Sequence, residues 1–346
     1  MPEDERDDEL PDAADESPAY TVVSAANNLV ERADDYLSSD EVIRGLRQHI
    51  MSLLGSGPPV AHYYRHIKGG YDWQCSGLLD AAAQYRFPVI NHKNFWSLAG
   101  AAPRDSLTAN HRVLSKLQTD LRNARATKNE QMAIEAAIDI LIWGGTNGNK
   151  HNSNAIWSAS AKAGGFLGYL DLCERSFGTG TSVDLTPFIG TPHGFRSNAG
   201  FTKIYSLAFD NFAIYDSRVA AALGLIIVRF CAAQGFLNAA VPWSVAFACL
   251  GHRGAGARRN PNKNWLKITG FSLLAANNHR DHLKWNIRAN ALLSRVIAGT
   301  AFEAQVKANP AMFPADPLRT LEAALFMIGY DLGGNWPHHN RVASIV

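Results

Sequence analysis

The feature that most limits what this chain can fold into is its apolar periodicity. Apolar side chains recur every three to four residues, while runs that alternate are scarce. Met132, Ile134, Ala137, Ile138, Leu141 and Ile142 share one helical face until Gly144-Gly145 stops the pattern. Ser38 followed by Glu41 reads as a capping box for a helix carrying Val42, Ile43, Leu46, Ile50, Leu53 and Leu54. Gly55-Ser56-Gly57-Pro58-Pro59 ends that helix, because proline supplies no backbone donor. Helical spacing also covers residues 105–126, 155–174, 217–234, 285–298 and 318–331, and no repeat of 20–50 residues is visible. Residues 61–103 are aromatic, interrupted by glycine, and give no clear assignment. The expectation is an all-α, mainly helical fold with few or no strands, Ala213–Tyr215 being the short extended candidate.

Charge divides the chain. The formal net charge is +2, yet residues 1–19 hold nine carboxylates and one arginine, a net of −8. Residues 20–346 therefore carry +10, and net charge speaks to partners. The acidic stretch has no apolar periodicity and reads as a solvated, disordered tail, followed by a helical domain over 20–346. With 47% hydrophobic residues the remainder can bury a large core. No run of about 18 apolar residues suggests a membrane span. The start is acidic, unlike a secretory signal. Cys75, Cys173, Cys231 and Cys249 form no CxxC pair, so a reduced, cytoplasmic setting fits, and a monomer is expected.

Three familiar chemistries fail on spacing. Gly144-Gly145-Thr146-Asn147-Gly148-Asn149-Lys150-His151 lacks the Gly-Lys-Ser/Thr end of a phosphate loop and follows a helix. His279-Arg280-Asp281-His282 and His338-His339 lack the further close ligands that zinc needs, so neither metal nor cofactor is expected. Ser197 has no nucleophile-elbow pattern around it.

Residues 197–224 carry the most chemistry. They read as a turn at Gly200, a short helix from Thr202 to Phe209, extended Ala213-Ile214-Tyr215 and a second helix capped by Asp216. Taken alone, an aspartate there is most often only a cap, and Lys203 most often a solvated side chain.

Gly200-Phe201-Thr202-Lys203 followed by Ala213-Ile214-Tyr215-Asp216-Ser217-Arg218-Val219 resembles the hairpin lysine and downstream aspartate of helix-hairpin-helix DNA glycosylases. It is more closely similar to bacterial proteins with an 8-oxoguanine-DNA-glycosylase-like fold, over about residues 110–330, with 20–109 as an N-terminal helical part. The Trp143-Gly144 helix end and the late helix through Leu321-Glu322-Ala323 add to the likeness. The resemblance implies that Lys203 attacks C1′ of a deoxyribose and that Asp216 stabilises the positive charge developing there. It also implies that Gly200, with neighbouring N–H groups at Thr202, holds a DNA phosphate. Lys203 precedes Asp216 by 13 residues, shorter than the usual spacing, and Phe201 replaces the second hairpin glycine. A water nucleophile and an abasic product are therefore an open alternative to a lysine adduct.

A basic run follows. Between Gly251 and Arg288 stand Arg253, Arg258, Arg259, Lys263, Lys267, Arg280, Lys284 and Arg288 against Asp281 alone, with Trp265 and Trp285 interleaved. Such a run suits a phosphate backbone, and Arg218, Arg253, Arg258, Arg259 and Lys263 are the expected contacts to double-stranded DNA. A solvated basic loop is the plain alternative. A flipped base needs an apolar pocket, for which Trp143, Phe195, Tyr215 and Trp243 are candidates, although each residue type is more often core. The expected activity is excision of a modified base from phage or damaged DNA, leaning to antiphage defence against bulky modified cytosine such as glucosylated hydroxymethylcytosine. An 8-oxoguanine repair glycosylase and a non-catalytic DNA-binding module are the alternatives.

Overall fold

The structure, a computed structural model, describes residues 29–31, 33–55, 60–65, 71–145, 150–162, 164–178, 182–189, 195–249, 258–264, 266–274 and 278–332. The acidic residues 1–19, Arg253, Trp265 and the pair His338-His339 lie outside them.

Thirteen helices and four short strands are present among the described residues. β1 (Leu29–Glu31), α1 (Ala33–Ser38) and α2 (Glu41–Leu53) precede the hairpin of β2 (His62–Arg65) and β3 (Asp72–Cys75). Then come α3 (Leu78–Ala83), α4 (Phe95–Ala99), α5 (Leu107–Ala126), α6 (Glu130–Trp143), α7 (Lys150–Ser160), α8 (Gly165–Gly178) and β4 (Ser182–Asp184). The last are α9 (Ala199–Ala208), α10 (Ser217–Ala233), α11 (His279–Val296), α12 (Ala301–Ala308) and α13 (Pro317–Ile328). The strands form two antiparallel pairs, Leu29 opposite Asp184 and His62 opposite Cys75. The fold is mostly helical, as the periodicity predicts. No helix among the described residues is long and apolar enough to cross a membrane.

Helix starts are written in the sequence as short polar side chains that accept from orphan backbone donors. Ser106, Asn129, Asn198, Asp216, Asn278, Thr300 and Asp316 all cap this way. The cap of α2 is Asp40, accepting from Ile43 N at 2.8 Å, and not the predicted Ser38. Ser38 instead closes α1, its hydroxyl donating back to Asp34 O. The single helix expected over 155–174 is two, because Gly164 and Gly165 take φ of +89° and +65° between α7 and α8.

Helices α9 and α10 are mostly apolar and enclosed by the rest of the chain. All ten residues of α9 are buried, and so is every residue of α10 from Arg218 to Val228. α13 packs on both α3 and α10, and α5 packs on α6 and α9. Gly329, at the end of α13, has no room for a side chain, since a Cβ would collide with the backbone of Arg218. The last turn of α13 therefore presses on the first turn of α10.

Candidate active site

The link between α9 and α10 is extended without belonging to a sheet, so its backbone donors need partners elsewhere. Three side chains from three helices supply them. Ala213 N donates to Asn290 Oδ1, Ile214 N to Glu322 Oε2 at 2.7 Å, and Tyr215 N to Thr202 Oγ1 at 3.0 Å. The carbonyl of Tyr215 lies 3.0 Å from His282 Nε2. Asn286 donates to Thr202 Oγ1, and Asn290 donates to Asn286 Oδ1, so the holders brace one another. This framework fixes the residue that follows. Asp216 caps α10 by accepting from Arg218 N and Val219 N, both at 2.9 Å, and is 2% exposed.

Asp216 lines a cavity of about 90 Å³, and Lys203 lines the same cavity. The two residues singled out by the sequence therefore line one cavity. Trp143, Phe87 and Phe326 form aromatic walls, and Arg218, Arg319, Glu322 and His111 add polar groups. Phe87 stands edge-on to Phe326 with ring centres 5.6 Å apart. Trp143 is anchored through Nε1, which donates to Asn110 Oδ1 at 2.8 Å.

Lys203 is 4% exposed, and its Nζ donates to the carbonyl of Ala199 one turn back at 3.0 Å. Its methylene stem fills the space a side chain at Gly144 would take. The predicted turn at Gly200 is instead the first turn of α9. Gly200 N and Phe201 N donate to the capping Asn198 Oδ1, and Asn152 packs where a Gly200 side chain would stand. Glycine is needed here for close packing, and its N–H is not turned outward to a phosphate. Thr202 is likewise buried and holds the extended link rather than a phosphate.

Glu322, in α13, is the group that local pattern did not single out as functional. Its Oε2 accepts from Ile214 N and from Arg319 Nη1, each at 2.7 Å, which leaves Oε1 without a hydrogen bond among the described residues. Burial raises its pKa to about 7; Arg319 and the Ile214 N–H oppose that shift, while Asp216 and Asp316 reinforce it. Arg319 also donates to the carbonyls of Ser206 and Phe212, tying α13 to the end of α9.

Part of the basic run is tied to the chain's own groups. Arg258 pairs with Asp331 at 2.8 Å, Arg280 pairs with Asp281, and Arg259 donates to Ser217 Oγ at 2.7 Å. Arg288 is buried with its guanidinium 5.0 Å above the rings of both Tyr36 and Trp285. Arg218 is buried against Phe326 and Tyr330 at the cavity wall. Lys263 and Lys267 are exposed. Of the four aromatic candidates, only Trp143 belongs to the wall of this cavity. Phe195 lines a second cavity beside α9, and Tyr215 is a core residue donating to Ala248 O. Trp243 is 65% exposed.

Ser197 does find a histidine, its Oγ lying 2.8 Å from His282 Nδ1. Both residues are buried, and neither belongs to the wall of either cavity. With Nε2 facing the Tyr215 carbonyl, His282 is a brace between α9, the link and α11. Burial, then repulsion from His279, lowers it to about 3. Among the described residues no group of three His, Cys, Asp or Glu side chains could hold a metal ion.

The site is thus a small, partly open cavity that gathers a lysine and three carboxylates, Asp216, Asp316 and Glu322, with aromatic walls on a helical frame. No family model, no curated protein and no solved structure matches the chain.

Proposed function

We propose that this chain is a DNA glycosylase of the helix-hairpin-helix type that excises a modified base from double-stranded DNA. The observation that carries the reading is the convergence of Lys203 and Asp216 on one aromatic-walled cavity. A flipped nucleotide needs such a wall to replace its lost stacking. Asp216 faces the charge that develops at C1′ as the C1′–N bond breaks and the bonding pair leaves with the base. Glu322, poised near neutrality, supplies a proton to the departing base through its unbonded Oε1. C1′ is then captured by water, which passes its proton to Asp216 and leaves an abasic site, or by the Lys203 nitrogen, which loses a proton as the C1′–O4′ bond opens to leave a Schiff base.

The test offers unmodified, 8-oxoguanine-containing and glucosylated hydroxymethylcytosine-containing duplexes to the full chain, followed by mass spectrometry of the free bases. Release of one modified base, lost in Asp216→Asn with DNA binding retained, supports the reading; release from none of the three overturns it. Borohydride treatment during turnover separates the two nucleophiles, since only the lysine route traps a covalent adduct that Lys203→Gln abolishes.

A further inference from the structure

On the other side of α9 lies the second cavity, of about 260 Å³, between α7, α8 and the segment that leads into α9. Its floor is aromatic. Tyr169 stands edge-on to Phe195 with ring centres 4.6 Å apart and meets Phe201 at 6.0 Å. The Tyr169 hydroxyl is engaged by Tyr205 and by the backbone of Arg196, and its ring stacks on Phe166, so the residue gives the cavity an apolar surface of little polarity.

The charged side chains on the wall are all of one kind. Arg196 and Lys162 are cations, and no carboxylate belongs to the lining among the described residues. Glu130 sits behind Gly165, one oxygen accepting from Phe166 N and the other from Leu167 N. Arg196 is a placed group. Its N–H donates to the Tyr169 hydroxyl, and its carbonyl accepts from the hydroxyls of Tyr169 and Tyr205. Arg196 belongs to the wall together with Tyr169, Phe195 and Phe201, and its guanidinium has no hydrogen bond or ion pair among the described residues, which leaves a planar fork to meet a ligand. That combination selects a planar ring bearing an anionic group, because the fork matches phosphate oxygens and the rings stack a base. The volume falls below the roughly 300–1,000 Å³ of drug-sized pockets, which suits one ring and one anion rather than an extended ligand.

We infer that this second cavity is a nucleotide-binding site, with Arg196 on the phosphate and Tyr169 and Phe195 against the base. The ligand is a nucleoside 5′-phosphate, either free or as one unpaired nucleotide of a DNA strand. The site is independent of chemistry at Lys203 and Asp216, and it stands or falls separately from the glycosylase reading.

The experiment titrates the full chain calorimetrically with deoxynucleoside monophosphates, with a single-stranded pentanucleotide and with inorganic phosphate. It also irradiates the chain with 5-iodo-deoxyuridine monophosphate and maps the crosslinked peptide. The expected result is binding of a nucleotide at least tenfold tighter than inorganic phosphate. Arg196→Ala should weaken it tenfold or more, Asp216→Asn should leave it unchanged, and the crosslink should fall on Tyr169 or Phe195. Removing the Arg196 side chain leaves its backbone ties in place, so that variant folds. Monophosphates binding as tightly as the pentanucleotide identify a free nucleotide as the ligand; a pentanucleotide preference identifies a DNA strand. Three results each overturn the inference: no binding of any nucleotide, equal binding by Arg196→Ala, or crosslinks confined to residues of the first cavity such as Phe87.

Discussion

Two charged regions of the chain behave differently in three dimensions. In residues 197–219 three of the four charged side chains, Lys203, Asp216 and Arg218, line one small cavity, and Asn290, Glu322 and Thr202 hold three consecutive N–H groups of the extended link beside it. In residues 258–288 the cations are far more numerous, but Arg258, Arg280 and Arg288 are taken up by carboxylates and aromatic rings of the same chain. Formal charge in a sequence is therefore not surface charge. A buried guanidinium over two rings helps build the fold, and its methylene stem packs like any other apolar group.

The sharpest way to break this contrast is Asp216→Asn. Asparagine caps a helix about as well as aspartate, so thermal stability should move by less than about 1 kcal/mol. Base release should fall by about a thousandfold, on the scale of losing a group that stabilises transition-state charge. Parallel melting and product assays check it, and a stability loss without an activity loss would reduce Asp216 to a cap. Next in size is Arg288→Leu, expected to destabilise by about 2 kcal/mol in denaturant titration while DNA affinity at fixed salt is unchanged. Weaker DNA binding in a fully stable protein would return Arg288 to the phosphate surface.

Glu322→Gln is a smaller, pH-dependent perturbation. The wild-type carboxyl titrates near 7 when folded and near 4.5 when unfolded, so the folded state holds the extra proton between those values. Stability contributed by this group is complete below about 4.5 and is lost as pH rises towards 7. The glutamine variant should lack that decline, and its base release should lose the fall in rate that the wild type shows above pH 7. An identical pH profile in both proteins would remove Glu322 from proton transfer. The buried histidines act with the opposite sign. His62 and His282, lowered to about 4 and about 3, should make the fold lose stability as pH drops below 6.5, where the unfolded chain takes up protons first. The smallest effect is expected from Lys263→Ala with Lys267→Ala, which should lower the log–log salt slope of DNA binding by at most about 2.

Local pattern was legible where one stretch of chain decides the outcome. Helix spacing located α6 and α10, and the Tyr215-Asp216-Ser217 step showed a cap that the structure contains. The rest depended on residues far away. Nothing near Ile214 says that its N–H will meet a glutamate 108 positions later. Gly200 looked like a turn because glycine usually marks one, whereas here it makes room for Asn152 from another helix. The inward cations were unreadable for the same reason, since a count of arginines does not show which carry an aromatic ring beneath them. Residues 61–103, unassigned by pattern, became a hairpin and two short helices, elements too brief to show a period.

Gly144 and Lys203 occupy a single volume between them, since a side chain at either position excludes the full length of the other. The two sites are therefore expected to drift as a unit. A chain that abandoned the lysine for a short residue would be free to acquire alanine at position 144, and that alanine would then bar the lysine's return. The missing Cβ gives the lysine stem its path along the end of α6, so a side chain at position 144 would displace the amine.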